Sequence, residues 1–235
     1  MSLPALHKAL VTGAAGDLGS ELCRCLAARG LELVLTDVDS ARLERLAAEL
    51  RAYPGCEVTT FAADLRDQEA AESAFREIAD AQPDIDLLFA VAGVDRSAPI
   101  ERYDWRIAKL VFDVNTLANY VLFGVFVPRF LARGHGHVAA VISLGGLIGT
   151  PYEHAYNGSK AAMHMLMDGL RAECRGRGVG FTSIFPGYLQ GSMIAGNQFD
   201  VKQATPMRAA AEQICTAVLR RRPWQPRLSA WIAVG

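Results

Sequence analysis

Tyr156 and Lys160 stand four positions apart and share one face if their segment is helical, and Ser143 ends an apolar run thirteen residues earlier. A free phenol, with a pKa of about 10, is a poor base at neutral pH, but a neighbouring ammonium favours the phenolate and draws it into working range. Such a phenol can take a proton from an alcohol or return one to a ketone, while a serine hydroxyl holds the substrate oxygen. A Tyr/Lys pair at this spacing is also common on solvated helices, so its meaning depends on what surrounds it.

A glycine-rich turn precedes it in the chain: Thr12-Gly13-Ala14-Ala15-Gly16-Asp17-Leu18-Gly19 lies between an apolar run and a helical stripe. Glycines let the backbone approach a pyrophosphate without a Cβ clash, and the free amides at a helix start are donors for it. Asp37, 24 residues beyond Gly13, sits where an acid accepts hydrogen bonds from the adenosine ribose and opposes a 2′-phosphate. No Arg or Lys occurs in the turn or beside Asp37, which favours NAD over NADP. Ala92-Gly93 again offers backbone without bulk.

The elements that must position these groups alternate. His7–Thr12, Leu31–Thr36, Glu57–Ala62, Asp86–Val91, His137–Ser143 and Gly180–Phe185 read as strands, with Leu228–Val234 as a seventh at an edge. Between them run helical stripes: Leu18, Leu22 and Leu26; Leu43, Leu46, Ala47 and Leu50 behind a cap at Asp39 or Ser40; and Ala71, Phe75 and Ile78 behind Asp67. Helices are also expected around Thr116–Leu131, over Ala155–Glu173 and from Thr205–Pro206 to Arg220–Arg222. Strands apolar throughout and joined by helices predict a doubly wound, Rossmann-like parallel sheet of six or seven strands, with one domain over residues 1–235. In such sheets ligands bind beyond the carboxyl ends of the strands, which is where the residues above fall.

The 235 residues are 51% hydrophobic and 21% charged, with net charge −1. This excludes a disordered chain, and the lack of a basic surplus argues against nucleic acid or an acidic membrane as partner. Five cysteines without a Cys-x-x-Cys pair, and no apolar leader, point to a reduced, cytoplasmic protein. The most apolar run, Tyr120 to Pro128, is too short to span a bilayer, which needs about 20 residues. His135 and His137 have no third ligand at metal spacing, so no metal is expected.

Taken in order, Thr12-Gly13 with its turn, Asp37, Asp64, Ala92-Gly93, Asn115, Ser143, Tyr156, Lys160 and Pro186-Gly187 resemble the short-chain dehydrogenase/reductase family from about His7 to Ser192. The resemblance implies catalytic roles for Asn115, Ser143, Tyr156 and Lys160. Tyr156 would be the acid/base, Lys160 would lower its pKa and bind the nicotinamide ribose, and Asn115 would anchor a water relay to Lys160. It also implies that Gly13, Gly16, Asp17, Leu18 and Gly19 cradle the cofactor, that Asp64 and Leu65 contact adenine, and that Pro186, Gly187 and Leu189 border the nicotinamide. The family's commonest turn is TGxxxGxG; here it is TGxxGxxG, with Asp17 in place of the middle glycine. Its Asn-Asn-Ala-Gly is Ala90-Val91-Ala92-Gly93, and the Thr after Pro-Gly is Gly191, with Ser192 as a substitute.

The expected function is NAD(H)-dependent interconversion of a small secondary alcohol and a ketone. The alternatives are a non-catalytic NAD(H)-binding sensor or scaffold, and an epimerase using bound NAD. The substrate segment is placed at about 188–205, and Tyr152, Tyr188, Met193 and Phe199 suggest an apolar or mixed pocket, with His154 either lining it or facing water. Helices 116–131 and 155–173 are more apolar than a one-sided helix needs, and the resemblance places a homodimer or homotetramer interface there.

Overall fold

The computed structural model describes residues 5–193, 203–221 and 224–225. Strands β1 (Lys8–Thr12), β2 (Glu32–Asp37), β3 (Val58–Ala62), β4 (Leu87–Ala90), β5 (Gly136–Val141), β6 (Val179–Ile184) and β7 (Trp224–Gln225) form one parallel sheet in the order β3-β2-β1-β4-β5-β6-β7. The order reverses between β1 and β4. That switch opens a crevice at their carboxyl ends.

The pleat sends alternate residues of β1 to opposite layers. Ala9 and Val11 pack under α1 (Asp17–Ala27), α2 (Ser40–Leu50) and α7 (Met207–Leu219), with Leu22, Leu26, Leu43, Leu50, Ile214 and Val218. Leu10 faces the other layer, where α3 (Gln68–Ala81), α5 (Ala118–Arg133) and α6 (His154–Glu173) bring Phe75, Phe126, Phe130, Met163 and Met167. Asp39 and Asp67 cap α2 and α3 by accepting the backbone N–H of Arg42, and of Glu69 and Ala70. Strand ends fall within two residues of expectation, a margin at which helix and strand termini are poorly defined. The strand expected at Leu228–Val234 lies outside the described residues.

The sequence reading missed the element before α5. A helix α4 (Trp105–Phe112) passes through one π-helical turn, Asp113–Leu117, directly into α5. The whole run, Trp105–Arg133, is 29 residues long and apolar enough by length and composition to cross a membrane, but 67% of its most apolar stretch is buried inside the domain. Its apolarity is that of a core helix. The turn buries Asp113, Val114, Asn115 and Thr116 together, which no 3.6-residue stripe would do.

Candidate active site

A cavity of about 600 Å³ opens at the switch point between β1 and β4. Its lining includes Gly13, Gly16, Asp17, Leu18, Gly19, Asp37, Asp64, Leu65, Ala92 and Gly93 along one side, and Ser143, Tyr156, Lys160, Pro186, Gly187 and Leu189 along the other. Of the catalytic and cofactor-binding residues expected from the sequence, Asn115 alone stands behind the wall.

The first side is built by close backbone approach. Gly13 has φ +64°, and a Cβ there would lie 2.7 Å from Ala92 Cα; a Cβ on Gly19 would lie 2.0 Å from the Gly13 carbonyl oxygen. Both positions therefore exclude side chains, and the turn presses flat against β4 and α1. Gly16, the N-cap of α1, has no side chain to accept the helix's first amides. Asp37 Oδ2 accepts the Ala15 N–H at 3.0 Å and Oδ1 accepts that of Asp39 at 3.1 Å, which ties the turn to the end of β2. Thr12 Oγ1 accepts the N–H groups of both Val91 and Ala92 at 3.2 Å. Part of the bonding that the missing asparagines would have provided is thus made from β1.

These features fit a dinucleotide: a flat glycine cradle, free helix-start amides and a carboxylate at the ribose position. Asp17, the residue in place of the middle glycine, is turned elsewhere. Its Oδ2 accepts the N–H of Ser192 at 2.6 Å and the Ser192 hydroxyl at 2.7 Å, and those bonds hold its carboxyl below the usual range. The acid therefore links the turn to the segment after β6. Two arginines distant in sequence also reach the wall: Arg66, paired with Asp64, and Arg42 from the first turn of α2.

On the second side, Ser143 follows β5 and its Oγ accepts the Gly145 N–H at 3.0 Å. Ser143 also hydrogen-bonds the Tyr156 phenol, one α6 residue that the helix turns into the cavity. Lys160 lies one turn further along, 4% exposed, its Nζ donating to the Val141 carbonyl at 2.9 Å and sitting 5.7 Å from the centre of the Tyr156 ring. The electrostatics differ from the sequence expectation. Burial raises the Tyr156 phenol above its ordinary value, opposed by the Ser143 bond and reinforced by the charges of Asp95, Glu153 and Tyr188; burial also brings Lys160 down to about 8. Desolvation outweighs the ammonium, because both groups are enclosed by the same apolar walls.

Asn115 sits in the π turn, fully buried. Its Oδ1 accepts the Val94 N–H at 2.8 Å, while Nδ2 donates to the Val94 carbonyl and to Ser159 Oγ, each at 3.0 Å. Both ends of the amide are spent on fixing the loop after β4. That loop approaches closely: a Cβ on Gly93 would lie 3.4 Å from both Asn115 Oδ1 and Lys160 Nζ.

The pocket beyond Ser143 is of the mixed kind among the two expected, apolar or mixed. Tyr188 and Met193 line it, Tyr152 is 40% exposed and off the wall, His154 is exposed against Tyr103, and Phe199 lies outside the described residues. Two acids that the sequence reading passed over, Asp95 and Glu153, line it instead. The only sequence signal for Glu153 was an acid three residues ahead of Tyr156.

The comparisons with known proteins agree with this architecture. A family model described as short chain dehydrogenase matches residues 7–203. The chain is 31% identical over 231 residues to an uncharacterized oxidoreductase of Mycobacterium tuberculosis, covering 96% of this chain and 89% of that one. It is 35% identical over 190 residues to a galactitol 2-dehydrogenase (L-tagatose-forming) of Cereibacter sphaeroides, covering 79% and 72%. Among solved structures, a short-chain dehydrogenase of Sphingobium yanoikuyae in complex with NADPH superposes with a TM-score of 0.86 at 26% identity, covering 96% and 89%. The strand order, the cradle after β1 and the serine, tyrosine and lysine at the mouth of β5 have a common explanation: the chain belongs to the short-chain dehydrogenase/reductase family.

Proposed function

We propose that this chain is an NAD(H)-dependent oxidoreductase that interconverts a small secondary alcohol and a ketone. The observation that carries the reading is the meeting of Ser143, Tyr156 and Lys160 on one wall of a cavity whose opposite wall is the glycine cradle. A nicotinamide dinucleotide, when bound, supplies or accepts the hydride. Tyr156 Oη takes the hydroxyl proton in the oxidising direction and returns it to the carbonyl oxygen in the reducing one. The Ser143 hydroxyl holds that oxygen, and Lys160 supports the tyrosine and the nicotinamide ribose. Asn115 acts through the loop it fixes and, in the family pattern, through a water relay to Lys160. With its phenol raised, Tyr156 is protonated at neutral pH, which suits the acid role of ketone reduction.

Asp37 at the end of β2 supports NAD, with Asp64 and Leu65 beside the adenine and Pro186, Gly187 and Leu189 beside the nicotinamide. Arg42 on the same wall favours NADP as the second reading, since its guanidinium can meet a 2′-phosphate. The related galactitol 2-dehydrogenase supports a secondary alcohol as substrate. Exposed Leu117 at the end of the π turn, Tyr120 on α5 and Met165 on α6 support a homodimer or homotetramer, and five buried free cysteines suit a reducing compartment such as the cytoplasm.

Tyr156→Phe tests the reading. It should leave dinucleotide binding within about threefold by thermal shift and remove turnover of an alcohol or ketone found by screening, since positioned acid–base groups contribute about 10²–10⁴-fold. Turnover that survives within about tenfold refutes the assignment.

A further inference from the structure

Five acids and four bases line the cavity, and most of the acids already have their donors. Asp64 is paired with Arg66, Asp37 holds the amides of Ala15 and Asp39, and Asp17 holds Ser192. Asp95 and Glu153 are the exceptions. Asp95 Oδ1 is buried with no hydrogen-bond partner among the described residues, and its carboxylate is eased only by the Arg96 amide next to it and the charges of Arg96 and Lys160. Glu153 is 7% exposed, and its one hydrogen bond, from Thr150 Oγ1, is long at 3.3 Å.

The fold brings these two together from opposite sides of the substrate end. Asp95 follows Gly93 at the end of β4, Glu153 is the N-cap residue of α6, and the Ala98 N–H donates to the Tyr152 carbonyl at 2.9 Å, joining the two loops. Both line the same cavity as Ser143 and Tyr156, and both charges bear on the Tyr156 phenol. Glu153 precedes Tyr156 by three residues, and side chains at that spacing start about 5–6 Å apart.

We propose that the substrate of this site carries a second hydrogen-bond donor, a hydroxyl or an ammonium group, on the carbon next to the reacting one or the one beyond, and that Asp95 and Glu153 receive it. A buried carboxylate oxygen without a donor is costly, and a donor that the described residues do not supply is one a substrate can bring. Burial, and after it the Asp95 charge, pushes Glu153 up to about 7. Near neutrality Glu153 can therefore either donate a hydrogen bond or accept one, and an ionised Asp95 can accept one or face a cation. The pair repels a substrate whose second group is a carboxylate or phosphate. Among the described residues Arg96 and Lys160 are the cations whose charges bear on Asp95; Arg96 stands exposed, and Lys160 Nζ is held by the Val141 carbonyl.

This inference rests on the dehydrogenase reading, and a matched series separates the two. Cyclohexanol, the vicinal cyclohexanediol, the vicinal aminocyclohexanol and the vicinal hydroxycyclohexanecarboxylate differ only beside the reacting carbon. With enzyme saturated in dinucleotide, kcat/KM for the diol, the amino alcohol or both should exceed that for cyclohexanol by about tenfold or more, with the hydroxycarboxylate lowest. The arm that wins tells hydroxyl from ammonium. In Glu153→Gln and Asp95→Asn the advantage, read as the ratio of kcat/KM for the favoured alcohol to that for cyclohexanol with the same variant, should shrink to about threefold or less. Thermal shifts of the dinucleotide-saturated Tyr156→Phe variant should rank the four compounds in the same order without turnover. Equal use of cyclohexanol and the donor-bearing alcohols, or preference for the hydroxycarboxylate, overturns the inference and leaves the dehydrogenase reading standing. No turnover of these or of a broad panel of alcohols and ketones, with either dinucleotide, refutes that reading and this inference with it.

Discussion

Replacing Glu153 by Gln keeps the shape of the side chain and removes its ionisation, so the variant isolates what that carboxyl does to stability. In the folded chain burial, then the Asp95 charge, raises the group from its ordinary 4.5 to about 7, opposed by the Thr150 hydroxyl. An acid raised on folding keeps its proton in the native state across a pH range where the unfolded chain has already lost it. The native state then binds more protons, and stability falls as pH rises from about 4.5 to about 7. At about 1.4 kcal/mol per pKa unit, a move of this size is worth about 3 kcal/mol at most. The side chain faces a cavity that water enters, so about 1–2 kcal/mol is the realistic loss. For a domain of this size each kcal/mol moves Tm by about 2–4 °C.

Glu153→Gln should therefore melt about 3–6 °C above wild type at pH 8 and within about 1 °C of it at pH 4.5. The difference between the two proteins is the quantity to read. The wild-type curve alone also contains His137, which burial lowers to about 3 and which makes the fold lose stability as pH falls below about 6.5. Fluorescence melts of both proteins across this range suffice. A difference that does not change with pH, or a variant less stable at pH 8, refutes the placement of Glu153 as a donor-starved buried acid.

Asp17→Gly restores the middle glycine and removes an anion beside the α1 N-terminus; dinucleotide Kd should fall about threefold or more, while loss of the Ser192 bonds lowers Tm by about 2–4 °C. Weaker binding would place Asp17 among the groups that hold the cofactor. Gly19→Ala forces a Cβ to 2.0 Å from the Gly13 carbonyl, and backbone cannot yield as a side chain can, so a loss of about 2–3 kcal/mol and of cofactor binding is expected in denaturant melts and titrations. Asp37→Ser should shift the kcat/KM ratio toward NADP by about tenfold or more, with Arg42 already on the wall; an unchanged ratio would remove Asp37 from the ribose site. Because the Tyr156 phenol is raised, alcohol oxidation should climb with pH into the alkaline range while ketone reduction is sustained near neutrality, as initial rates in both directions will show.

Much of the fold was legible because the relevant forces are local. Asp39 and Asp67 cap helices wherever they precede an apolar stripe, and the turn between β1 and α1 must be glycine-rich whatever lies around it. The α4–α5 connection was illegible for the opposite reason. The π turn buries Asp113 and Asn115, and the first turn of α5 buries Asn119, on a face that an α-helical count would leave apolar. Their partners are Lys109 for Asp113, Val94 and Ser159 for Asn115, and the Asn115 carbonyl for Asn119. Two of those partners lie far away in the chain, so periodicity carries no trace of the arrangement.

The same distinction governs the site. Spacing brought Tyr156 and Lys160 to one face correctly, since four residues on a helix admit no other answer. It misjudged the direction of the phenol's shift, because an ammonium's pull acts over the few ångströms that spacing describes, whereas desolvation depends on every wall of the cavity. Asp95 and Glu153 make the point most sharply. A net charge of −1 says that acids and bases balance over the chain, yet the cavity holds two acids short of donors among the described residues: Asp95, with Oδ1 unpartnered, and Glu153, with one long bond from Thr150, just after a left-handed Tyr152 (φ 69°). A chain balanced in total can thus be unbalanced where it binds. A substrate entering the cavity can supply the donor that the described residues do not, so the local deficit is read as chemistry and not as composition.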